Sequence, residues 1–117
     1  MTRRLIITAD DFGMSLEVNE AVEQAHRDGV LTCASLVVAG DAAEDAVRRA
    51  KRLPGLGVGL HLAMFGAPAA AKLPSRIAPD GDSLGQSPVS TGIAALLDPV
   101  TRAAARREFA AQFEAYR

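Results

Sequence analysis

Tryptophan is missing from this chain, cysteine occurs once, histidine twice, and aromatic residues make up 4% of the 117 positions. A single cysteine excludes an internal disulfide. Cys33 lies inside the strand-like run Thr32-Cys33-Ala34-Ser35-Leu36-Val37-Val38 and is expected to be a buried, inert thiol. Excess positive charge is missing too. Thirteen basic against 14 acidic residues leave a net charge of −1, which offers no electrostatic handle to nucleic acid or to an anionic membrane. No apolar run approaches the ~20 residues that span a bilayer. Arg3 and Arg4 precede an apolar stretch too short for a signal peptide, so a cytoplasmic location is expected. What is present, 49% hydrophobic and 23% charged residues, is the composition of a single globular domain over 1–117.

The run Leu5-Ile6-Ile7-Thr8-Ala9-Asp10 is continuous rather than alternating, which predicts a strand over 5–10 covered on both faces. A helix over 16–28 follows, with Val18, Ala21, Val22 and Ala25 as its apolar stripe, Ser15 as its cap and Gly29 as its stop. Val30 to Val38 reads as a second strand. Asp41 with Glu44 resembles a capping box at the start of a second helix, whose stripe is Ala43, Ala46, Val47 and Ala50. Cations at Arg48, Arg49, Lys51 and Arg52 suit its C-terminal end, and Pro54-Gly55 stops it before a third strand over Gly57–Leu62. This β-α-β-α-β order predicts an α/β fold with a parallel sheet and right-handed crossovers.

Prolines at 68, 74, 79 and 88 and a turn at Asp80-Gly81-Asp82 make 63–98 a long loop or lid region, with a helix only around Ile93 to Leu97. Asp98-Pro99 then opens a C-terminal helix whose stripe is Ala105, Phe109, Phe113 and Tyr116. The chain is expected to stop short of its full fold, because that helix has no terminating residue and a three-stranded sheet leaves two unpaired edges.

Asp10 and Asp11 end the first predicted strand and His61 closes the third. In a parallel sheet those C-terminal ends lie side by side, so two acids and an imidazole face one cleft, able to hold a divalent metal. Alternate strand residues face opposite sides, so the turn at Phe12-Gly13 must release one carboxylate. One acid can then ligate the cation while the other acts as general base on water. The plainer alternatives are that the acids cap a helix or fix a turn, and that His61 is a hydrogen-bonded core residue. Gly57 and Gly59 leave room for something to approach the strand. His26, beside Arg27 and Asp28, reads as solvated. Asp11-Phe12-Gly13 matches the kinase triplet by chance, since no glycine-rich loop accompanies it, and Gly55-Leu56-Gly57-Val58-Gly59 enters a strand where a dinucleotide fingerprint leaves one.

Thr8-Ala9-Asp10-Asp11-Phe12-Gly13-Met14-Ser15, Val18-Asn19-Glu20-Ala21, Gly29 to Leu36 and Val58-Gly59-Leu60-His61-Leu62 together resemble the YdjC family of carbohydrate deacetylases. The runs 37–43 and 52–56 are most similar to its hopanoid biosynthesis-associated branch, HpnK. The resemblance implies the N-terminal part of a longer, distorted (β/α) barrel of the polysaccharide deacetylase type, removing an N-acetyl group from an amino sugar or glycolipid. It implies Asp10 as the catalytic base, Asp11 and His61 as metal ligands, and magnesium or zinc as the cation. A histidine-rich segment that supplies a further ligand in the family is not in this sequence. Two other readings stand beside it. One is a receiver-like magnesium-binding signalling domain, against which His61 occupies the position of a phosphorylatable aspartate. The other is an inactive fragment that binds a partner or itself through its strand edges, and a homo-oligomer is expected.

Overall fold

The computed structural model describes residues 3–73, 78 and 87–117. The chain divides into two compact units, Met1–His61 and Leu62–Arg117. In the first, β1 (Thr8–Phe12), α1 (Leu16–Arg27), β2 (Cys33–Leu36), α2 (Ala43–Lys51) and β3 (Gly57–Leu60) follow one another. The strands form a parallel sheet in the order β1-β2-β3, so the α/β class and the succession of elements are those the sequence predicts.

The strands are shorter than the apolar runs. β1 starts at Thr8 and not at Leu5, and Leu5 and Ile6 are 78% and 72% exposed, so the strand over 5–10 covered on both faces is corrected. The ladder to β2 opens at Thr8 opposite Cys33, and among the described residues 3–6 belong to no strand. Burial along β2 alternates, with Ala34 and Leu36 buried and Cys33 and Ser35 half-buried. Ala34, Leu36 and Phe12 pack with Val22 of α1, Ala46 of α2, and Leu31, Leu53 and Leu56. By register, Thr8, Cys33 and Gly57, then Ser35 and Gly59, belong to the opposite face. The helices of this unit therefore cover one side of the sheet. Cys33 is a free thiol, half-buried and not enclosed.

Local signals fix the start of α1, where Ser15 Oγ accepts from the Val18 N–H at 3.3 Å. Its inward stripe differs from the expected one: Asn19 and Val22 are buried, while Ala21 and Ala25 are exposed. His26 continues that stripe four residues past Val22. It is half-buried with Nδ1 2.8 Å from the Leu31 carbonyl, which corrects the solvated reading. The capping box at Asp41 does not form. α2 begins at Ala43 with no side-chain cap, because tertiary contacts set its start: the Ala42 N–H donates to the Gly13 carbonyl at 3.0 Å. Gly40 permits this approach, as a Cβ there would stand 2.2 Å from the Gly13 oxygen.

Arg49 links the two helices, its Nε 2.6 Å from Asp45 Oδ2 and its Nη1 2.7 Å from Glu23 Oε2, and Arg27 Nε donates to Glu23 at 2.8 Å. Hydrogen bonds from Arg27 and then Arg49 hold the Glu23 carboxyl below the usual range, and those from Arg49 and then Asn19 do the same for Asp45.

In the second unit, α3 (Pro88–Leu97) and α4 (Pro99–Tyr116) are helical. α3 starts earlier than the expected Ile93, capped by Ser87 Oγ on the Ser90 N–H. The expected turn at Asp80-Gly81-Asp82 lies outside the described residues. Asp98 caps α4 as predicted, accepting from Val100 N at 3.3 Å and Thr101 N at 2.9 Å. The buried face of α4 is Thr101, Ala104, Glu108 and Gln112, whereas Phe113 is 56% exposed. The aromatic stripe is thus not the packed one. Polar side chains win that face because they satisfy loop backbone: Glu108 accepts from the Ala70 and Ala71 N–H groups at 2.8 Å each, and Gln112 bonds both the N–H and the carbonyl of Ala63.

Carboxyls held low in the folded state contribute stability that is present above their unfolded pKa of about 4 and lost as pH falls through the lower folded values. Urea midpoints should therefore hold steady from neutral pH to about 5 and fall in stronger acid. Arg49→Met should flatten that acid limb, and an unchanged limb in the variant would refute the assignment to this network.

Candidate functional site

Regular alternation after Thr8 would send Asp10 to the helix-free face and Asp11 into the core beside Ala9. The strand avoids this with an extra residue. Between Ala9↔Ala34 and Phe12↔Leu36 the ladder to β2 shifts register, a bulge that redirects one side chain. Asp11 sits there at φ +64°, the one non-glycine residue with positive φ among the described residues. Asp10 stays on the helix-free side, Asp11 turns out with its side chain 61% exposed, and Phe12 takes the core position at 0% exposure. A left-handed aspartate costs roughly 1 kcal/mol or a little more, and full burial of a phenylalanine contributes about 1.5–3 kcal/mol. The exchange favours the bulge. Release of one carboxylate thus occurs within β1 and not at the Phe12-Gly13 turn expected from sequence.

β3 brings the imidazole to the same place. The His61 N–H continues the ladder to the Leu36 carbonyl at 2.9 Å, and its Nδ1 lies 3.6 Å from Asp11 Oδ1 and 3.5 Å from the Asp11 nitrogen. Ser35, which sequence reasoning did not single out, joins the groups: its hydroxyl donates to Asp10 Oδ1 at 2.7 Å and lies 3.0 Å from His61 Nδ1. The available signal was its parity, since a polar residue within Ala34-Ser35-Leu36 falls on the face of Asp10. Asp10, Asp11, Ser35 and His61 are therefore brought together at the C-terminal ends of three strands. His26 belongs to the helix side and takes no part.

Two donors on one cation at about 2.1 Å stand roughly 3.0 Å apart at a right angle and about 3.4 Å apart in a tetrahedron. The 3.6 Å between Asp11 Oδ1 and His61 Nδ1 is within a small side-chain adjustment of that range, so this oxygen–nitrogen pair suits a divalent ion. No group of three or more His, Cys, Asp or Glu able to hold a metal ion occurs among the described residues. Beside His61, the strand is open at Gly59, where a Cβ would meet nothing within 4 Å. At Gly57 a Cβ would stand 3.0 Å from Cys33 Sγ, so there the missing side chain makes room for the neighbouring strand.

Known proteins resemble this chain in sequence and in fold. The sequence profile described as YdjC-like protein matches residues 4–117. The chain is 48% identical over 73 residues to a carbohydrate deacetylase of Brevibacillus brevis, covering 62% of this chain and 29% of that protein. It is 42% identical over 64 residues to a chitooligosaccharide deacetylase of Salmonella paratyphi B, covering 55% of this chain and 25% of that protein. The chain thus spans well under a third of these relatives. Among solved structures, an Enterococcus faecalis protein assigned to cellobiose-phosphate cleavage superposes with a TM-score of 0.70 at 26% identity, covering 95% of this chain and 42% of that one. No helix among the described residues is long and apolar enough to cross a membrane.

The left-handed backbone at Asp11 reverses the usual order of small residues. Asp11→Gly should be more stable than Asp11→Ala by about 1 kcal/mol in urea unfolding, whereas in a regular strand glycine is the weaker choice. Equal or greater stability of the alanine variant would show that the bulge relaxes in solution.

Proposed function

The chain belongs to the YdjC-like protein family, and on that premise we propose that it carries the acid and imidazole side of a cation-dependent hydrolase removing an N-acetyl group from an amino sugar. The run of contacts from Asp10 through Ser35 and His61 to Asp11 is the observation that supports this reading best. Asp11 and His61 would hold the cation, magnesium or zinc, and leave further coordination positions to water or substrate oxygen. When bound, such an ion polarises the acetyl carbonyl and acidifies water. Asp10 is the general base. It takes a proton from the water that attacks the acetyl carbon and returns it to the nitrogen as the C–N bond breaks, giving acetate and a free amine. Ser35 orients the base for both transfers by donating to its Oδ1.

The relatives named for carbohydrate and chitooligosaccharide deacetylation support an acetylated sugar as substrate. The likeness of runs 37–43 and 52–56 to the hopanoid-associated branch supports N-acetylglucosamine carried on a glycolipid. On the same reading the three strands open a longer (β/α) barrel of which the relatives contain the rest. A second reading, self-association through strand edges, draws on the exposure of Leu5 and Ile6 ahead of the edge strand β1.

The test measures cation binding by calorimetry and acetate release from N,N′-diacetylchitobiose, for the chain alone and for the chain joined to the remainder of the Brevibacillus relative. Asp10→Asn should retain cation binding and lose acetate release by about 10²-fold or more. Asp11→Ala and His61→Ala should each weaken cation binding at least tenfold, and binding untouched by both would sink the assignment.

A further inference from the structure

Asn19 is 0% exposed at the end of the first turn of α1, on the face turned to the core, where an asparagine neither favours the helix nor fills apolar space. Its amide is fully engaged outside its own helix. Oδ1 accepts from the Gly13 N–H at 2.7 Å, and Nδ2 donates to the Ala42 carbonyl at 2.9 Å and to Asp45 Oδ2 at 3.0 Å. Gly13 is thereby gripped on both sides, since its carbonyl accepts from the Ala42 N–H at 3.0 Å. Gly13 has φ +100°, and a Cβ on it would stand 2.9 Å from the Val37 oxygen. It cannot slide. The Met14 N–H closes back on the Asp11 carbonyl at 3.0 Å, so the clamped turn is the one that carries Asp11.

We propose that Asn19 is a positioning residue that acts through the Gly13 peptide to hold Asp11 in its left-handed conformation, and so sets the reach between the Asp11 carboxylate and His61. Its consequence for cation binding rests on the functional reading above; its effect on the backbone of Asp11 does not. An apolar residue at 19 would leave the Gly13 N–H and the Ala42 carbonyl unpaired, and the turn would lose the contact that fixes its far end. Distance is no obstacle, because a single residue, Phe12, separates Gly13 from Asp11.

The experiment compares Asn19→Ala with Val22→Ala, a core truncation one turn along the same helix, by urea unfolding, by the HN–Hα coupling of Asp11 and by affinity for Mn²⁺ added alone. Both variants should be destabilised. Only Asn19→Ala should move the Asp11 coupling toward its extended-strand value and weaken Mn²⁺ at least tenfold. Asn19→Ser, whose shorter side chain leaves the Gly13 N–H and the Ala42 carbonyl unpaired but can hydrogen-bond within its own helix, should move the coupling in the same direction as Asn19→Ala, and it replaces the alanine variant if that one does not fold. Parent-like coupling in the Asn19 variants, or an equal change in Val22→Ala, would overturn the proposal. If the parent itself binds no Mn²⁺, the cation reading fails by itself and the coupling alone decides on Asn19.

Discussion

A β-strand shows its side chains to two sides in strict turn, and the first strand of this chain has two adjacent acids to place. One of them would have to enter an apolar core, where an unpaired carboxylate costs several kcal/mol. An extra residue at Asp10–Asp11 removes the conflict. It keeps Asp10 on the helix-free face, turns Asp11 out, and returns the strand to phase with Phe12 against Leu36. The acid–imidazole cluster and the core are thus two results of one local distortion.

That distortion depends on support from outside the strand. The turn behind Asp11 meets α2 through backbone contacts that leave no room for side chains at Gly13 or Gly40, and it meets α1 through the Asn19 amide. A buried amide and two glycines hold in place what an ordinary turn would let relax. The second unit uses a similar device, with Glu108 and Gln112 presented from a helix to the backbone at 63, 70 and 71. In both units buried polar side chains serve chain segments that lack a ladder of their own.

Sequence revealed the parts of the fold governed by local chemistry. Element order, the Ser15 cap and the Asp98-Pro99 helix start depend on neighbours within a few residues, and all are found. Strand lengths depend on the partner strand, so Leu5 and Ile6 looked like strand and are not. The start of α2 depends on Gly13 and Asn19, remote in sequence, so the motif at Asp41 misled. On α1 and α4, apolar periodicity pointed to Ala21 and Phe113, but the packed faces carry Asn19, Glu108 and Gln112 because hydrogen bonds to loop backbone outweigh hydrophobic area there. Asp10, Asp11 and His61 could be found as candidates because all three end apolar runs. Ser35 was missed: its parity within Ala34-Ser35-Leu36 sets it apart from the core face, but only the register shows that Asp10 and His61 lie beside it.

The bulge gives β1 two phases, with Thr8 and Asp10 addressing the open face before it and Phe12 addressing the core after it. Loss of a single residue from Asp10–Asp11 would leave an unbroken ladder, still with an acid and still with Phe12 in its place, yet the site would keep one carboxylate where it had two. Length in this short stretch is therefore as much a chemical variable as composition, and a shortened copy could fold soundly while lacking the second acid that the proposed division between ligation and proton transfer requires.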